Sequence, residues 1–141
     1  MTIPQWVLLG FAGWTLAVLC ATIGIYRWSL ILAGRARISD WRADQAQGSD
    51  WYRRAMRAHL NCVENLPVYG AIVLCASAAG ATGGLLDALA LLVIAARICQ
   101  TVVHVGFTQT DLVAWLRFLF FFVQIAAMIA MGVAVAIAAA G

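Results

Sequence analysis

Arg57, Asn61 and Glu64 stand three and four residues apart in an otherwise apolar stretch. An α-helix advances about 100° per residue, so these side chains and Arg54 fall within an arc of about 80°. Farther along, Arg97, Gln100, Thr101, His104 and Thr108 fall within an arc of about 100°. Arg117 and Gln124 lie nearly on one line of a third helix. These residue types suit the capture of a small polar anion. Arginine grips a carboxylate through two parallel hydrogen bonds. The glutamate and the amides can accept from an ammonium group. A ligand with two carboxylates and an amine would use both signs of charge.

Other chemistries have less support. Cys20, Cys62, Cys75 and Cys99 all lie in apolar runs, and no pair has CxxC spacing. They read as small packing residues, so neither a metal site nor a disulfide framework is indicated. All nine basic residues are arginine and the net charge is +3. That charge sits beside apolar helices without a nucleic-acid motif, so a nucleic-acid partner is not expected. His59 points away from the stripe formed by Arg57, Asn61 and Glu64 and reads as structural.

The elements that position these residues are membrane spans. The chain of 141 residues is 65% hydrophobic and 11% charged. Soluble domains run near about 45–50% apolar and about 25% charged. A spanning helix needs about 20 mostly apolar residues. Four such runs read as helices at about 4–34, 52–79, 85–108 and 112–139. The first has no charge before Arg27 and reads as a mature span, not a cleaved leader. Residues 35–51 form a polar loop with room for a short surface helix, and Ser49 or Asp50 caps helix 2. The expected fold is an all-α integral membrane protein, one domain over 1–141, built as a four-transmembrane-helix bundle.

Arginine placement gives the orientation. Arg27, Arg35, Arg37, Arg42, Arg53, Arg54 and Arg57 flank or occupy the polar loop, and the helix 2–3 turn has none. The loop is expected to face the cytoplasm, in a bacterial inner membrane. Arg35, Arg42, Arg53 and Arg54 read as headgroup anchors. Trp6, Trp14, Trp28, Trp41 and Trp51 read as interfacial or lipid-facing aromatics.

A charge inside a bilayer costs about 2.5–3.5 kcal/mol on the insertion scale, so polar stripes are expected to turn inward. At a rise of about 1.5 Å per residue, Glu64 lies about 18 Å from the polar-loop end and Arg97 about 16 Å from the same side. The expectation is a funnel open to the cytoplasm and closed by a Glu64–Arg97 pair.

The segment Arg57-Ala58-His59-Leu60-Asn61-Cys62-Val63-Glu64-Asn65-Leu66-Pro67 resembles the signature of the MAPEG superfamily, the membrane-associated proteins in eicosanoid and glutathione metabolism. The resemblance covers nearly the whole chain, with helices 1 and 4 matching mainly in character. It implies a homotrimer of four-helix subunits that binds glutathione between neighbours near the cytoplasmic side. It implies glutathione contacts at Arg37, Arg57, Asn61, Glu64, Arg97, Gln100 and His104, with Arg97 similar to a family arginine on helix 3. Arg117 is similar to the family arginine that stabilises the thiolate. Leu60, His104 and Phe121 depart from the arginine and tyrosines that several members carry there.

The function so implied is a glutathione-dependent membrane transferase or peroxidase acting on hydrophobic electrophiles or lipid hydroperoxides. The glutathione carboxylates would meet Arg37 and Arg57, its amine Glu64, and its sulfur Arg117. A free thiol has a pKa of about 8.5, and an adjacent cation lowers it. The apolar substrate would arrive laterally from membrane lipid. The alternative is a non-catalytic lipid-binding membrane protein of the same fold. A channel would need a continuous polar path, but helix 4 beyond Gln124 and helix 2 beyond Tyr69 are apolar.

Overall fold

The computed structural model describes residues 1–41 and 48–140. Arg42, assigned above to the polar loop, lies outside the described residues.

Four long helices account for the fold, and all four are long and apolar enough to cross a membrane: α1 Ile3–Leu32, α2 Asp50–Ala78, α3 Gly84–Gly106 and α4 Asp111–Ala140. No strand occurs among the described residues. Three of the four helices start where a side chain accepts from a nearby backbone amide; α3 follows Gly83 with no side-chain cap. The Thr2 amide donates to Gln5 Oε1 at 2.8 Å, ahead of α1. The Tyr52 amide donates to Ser49 Oγ at 3.3 Å, so α2 begins at Asp50. The Val113 amide donates to Thr110 Oγ1 at 3.3 Å at the start of α4. Helix α2 ends ahead of Gly80, whose φ of 65° is the left-handed conformation that stops a helix.

Helix α1 departs from the regular helix expected there. Leu19–Gly24 wind as a π-helical turn, which widens the span midway along its length. A 3-10 turn, Ile38–Asp40, is the only short helix described in the polar loop.

The core lies between the spans and is packed by Phe11, Tyr69, Val73, Val93, Met128 and Met131. Small residues at contact positions, Ala90 on α3 and Ala127 on α4, let those two helices approach closely. Tyr69 Oη donates to the Pro4 carbonyl at 3.1 Å and ties α2 to the start of α1. Outward faces carry leucine, isoleucine, valine and phenylalanine, as a lipid solvent requires.

The polar-loop end is fastened by aromatics. Tyr26 stacks on Tyr52 at 4.5 Å between ring centroids, and Trp41 lies 5.5 Å from Tyr52. Arg27 Nε donates to Tyr52 Oη at 2.6 Å, with its guanidinium 5.2 Å from the Trp41 ring. Trp41 therefore packs inside this cluster instead of standing free at the interface. Gly48 fits beneath it only because it lacks a side chain: a Cβ there would stand 2.8 Å from Tyr52 Cδ1, at a φ of 106°.

Candidate functional site

Two adjoining polar clefts open between α2, α3 and α4 near the polar-loop end. The larger, about 270 Å³, is lined by Asn61, Gln100, Gln109, Arg117, Phe118 and Phe121. The smaller, about 130 Å³, is lined by Asp50, Arg53, Arg54, Arg57, His104 and Gln109. Gln109 is the residue common to both. The helical spacing explains the grouping. Arg57 and Asn61 are one turn apart on α2, as are Gln100 and His104 on α3, so each pair contributes to both clefts.

The α3 stripe turns into the bundle. Arg97, Gln100, Thr101 and His104 are all buried. Arg97 Nη1 donates to Gln100 Oε1 at 2.9 Å, and Gln124 Nε2 donates to the same oxygen at 3.1 Å. With its oxygen held by two donors, Gln100 directs its own Nε2 to the Arg117 carbonyl at 3.2 Å. Two buried side chains thus fix one amide, which pins the turn of α4 that carries Arg117. Thr101 Oγ1 returns its proton to the Arg97 carbonyl at 3.0 Å and receives the Trp14 indole N–H at 3.3 Å. Trp14 is therefore half-buried and hydrogen-bonded, not simply lipid-facing.

The electrostatics of the clefts are one-sided. Four arginines line them against a single carboxylate, Asp50, which is already paired with Arg54. That leaves a surplus of three positive charges. Arg54 and Arg57 line the same cleft as His104. Neither His104 ring nitrogen has a hydrogen-bond partner among the described residues. The clefts can accept an anion with more than one negative oxygen.

The α2 stripe corrects the funnel expected from the sequence. Asn61 is half-buried, whereas Arg57 and Glu64 are exposed on a single copy. The Glu64–Arg97 pair is not formed; the ion pairs among the described residues are Arg37–Asp40 and Arg54–Asp50. The two side chains match in depth but not in direction. Cys62 is the fully buried residue of that α2 turn, and Glu64 lies about 200° around the helix from it. Arg97 instead points at Phe11, whose ring centroid is 5.4 Å away.

The other site residues expected from the sequence divide as follows. Asn61, Gln100 and Arg117 share the larger cleft, and Arg57 and His104 share the smaller. Arg97 lies behind Gln100, outside both. Arg37 is not brought to them: its side chain is 85% exposed and pairs with Asp40 at 3.4 Å. Arg53 and Arg54 line the smaller cleft, although the sequence suggested headgroup anchors. Gln109 was not anticipated. It lies between helices, where periodicity gives no signal.

Four membrane-length helices around buried polar side chains define a multi-pass integral membrane protein. The sequence profile of the MAPEG family matches residues 6–137, nearly the whole chain. The chain belongs to the MAPEG family, and is thus a membrane protein related in general to glutathione and eicosanoid metabolism. No curated protein and no solved structure gives a significant match.

Proposed function

We propose that this protein is a glutathione-dependent transferase or peroxidase acting on hydrophobic electrophiles or lipid hydroperoxides. One observation carries the reading: Asn61, Gln100 and Arg117 line one cleft, Arg57 and His104 line a second, and Gln109 lines both. Glutathione would lay its carboxylates toward Arg57 and the neighbouring arginines, with its sulfur beside Arg117. The guanidinium then favours the thiolate, which is the attacking nucleophile. Asn61, Gln100 and His104 would orient the tripeptide backbone. Arg97 acts through Gln100 and does not touch the ligand.

A homotrimer completes this reading. Arg57 and Glu64 are exposed on a single copy, yet they belong to a membrane-spanning helix. Leaving them against acyl chains would cost about 2.5–3.5 kcal/mol each. A second copy covering that face removes the cost and brings Glu64 within reach of the ligand amine. Arg37 stays in the assignment as a residue offered across that boundary. Loop 35–51 is assigned to the cytoplasmic side of a bacterial inner membrane, because seven of the nine arginines flank or occupy it.

Conjugation of glutathione to an aryl halide tests the activity. Turnover by the purified protein, lowered about 100-fold in Arg117→Ala with a smaller loss of glutathione affinity, is the expected outcome. Equal turnover in that variant removes Arg117 from the mechanism.

A second reading, a non-catalytic lipid binder, draws on a different feature. A groove of about 350 Å³ runs between α1 and α3, lined by Trp14, Ala17, Val18, Ala21, Val102 and Val105 among others. It lies along the start of the π-helical turn and fits an acyl chain. Absence of turnover together with co-purified lipid would favour this alternative.

A further inference from the structure

The short link between α3 and α4 holds a residue that no expectation from the sequence included. Arg117 Nη1 donates to Gln109 Oε1 at 3.1 Å, and no other side-chain partner of Arg117 is found among the described residues. Arg117 Nε is buried without a partner. Gln109 is exposed and lines both clefts. Its backbone is set from both sides, by the end of α3 at Gly106 and by Thr110, which caps α4. Only its side chain is free to move.

We propose that Gln109 is a gate residue: its side-chain oxygen occupies the Arg117 guanidinium in the empty site and yields to the anionic group of an arriving ligand. The exchange is favourable on chemical grounds. A neutral amide oxygen offers the guanidinium one bond assisted by a single charge, whereas a carboxylate brings the opposite charge and can accept two parallel bonds. Displacing the amide also moves the side chain common to both clefts, joining the Arg117 side to the Arg57 side. A ligand long enough to span both clefts therefore opens the gate, whereas one that fits only the smaller cleft leaves it shut. The selection for length rests on the glutathione reading; the hold of Gln109 on Arg117 does not.

Two measurements on the full-length protein in detergent separate these claims. The first is modification of Arg117 by phenylglyoxal without ligand, followed by peptide mass spectrometry, with Arg57 as internal control. Gln109→Ala should speed Arg117 labelling about threefold, and Gln109→Glu should slow it, because an exposed charge-assisted contact shifts equilibria by only such factors. Arg57 labelling should not change. The second is glutathione titration, in which Gln109→Ala should lower Kd about threefold and Gln109→Glu should raise it. Unchanged or slower Arg117 labelling in Gln109→Ala overturns the gate. The expected labelling without glutathione binding keeps the gate and rejects the cofactor assignment. Labelling as expected with weaker glutathione binding in Gln109→Ala makes Gln109 a ligand contact and overturns its role as a competitor.

Discussion

Replacing Arg97 with methionine should make the protein more stable. Arg97 is 1% exposed, makes one side-chain hydrogen bond to Gln100, and lies over the Phe11 ring. Its Nε and Nη2 have no hydrogen-bond partner among the described residues. Removing the guanidinium loses a charge-assisted hydrogen bond worth about 2 kcal/mol and a cation–π contact worth about 1 kcal/mol. The shorter methionine leaves a void costing about 1 kcal/mol. Against this, two buried donors without partners cost about 2 kcal/mol each. Burial of the charge itself adds about 2 kcal/mol more, less than the full insertion cost because Gln100 shares it. Relief wins by about 2 kcal/mol. Gln100 is not orphaned, because Gln124 still donates to its oxygen. Thermal melting in detergent, followed by circular dichroism, should show a midpoint about 4–8 °C higher. A midpoint lowered by several degrees would refute the reasoning. It would mean that an anion meets Arg97 in the assembled protein, with Glu64 the first candidate.

Three further outcomes follow. Gly48→Ala should destabilise the protein by about 1–3 kcal/mol, since a Cβ at positive φ meets the Tyr52 ring; a lowered melting midpoint checks it. Ser49→Ala should cost about 1 kcal/mol, because the Tyr52 amide loses its cap at the start of α2; the same melting measurement reads it. Native mass spectrometry in mild detergent should find trimers, and Glu64→Gln should leave them intact if the interface rests on packing. Monomers alone would contradict the argument from the exposed α2 charges.

The spans were legible because a membrane imposes a length and a composition on each helix, and four apolar runs met both. The inward turn of Arg97, Gln100 and His104 was legible too, because four spaced polar residues mark one face of α3. Direction around α2 was not. Rise along a helix fixes the depth of Glu64, but only packing fixes which neighbour that face meets. Cys62 and Asn65, not Glu64, took the inner positions, and the expected Glu64–Arg97 pair failed for that reason. The aromatics show the same division. Trp6 and Trp28 are exposed, as an interfacial residue should be, whereas Trp14 and Trp41 found partners that no periodicity encodes. Gln109 escaped notice because a four-residue link has no period to read. Its part emerges only when the ends of α3 and α4 are brought together.

Calorimetric titration of the detergent-purified protein with glutathione bears most directly on the central claim. Saturable heat at or below millimolar glutathione, lost when Arg57 and Asn61 are both changed to alanine, is the expected result. No heat at millimolar concentrations, or heat unaffected by that double change, would contradict it.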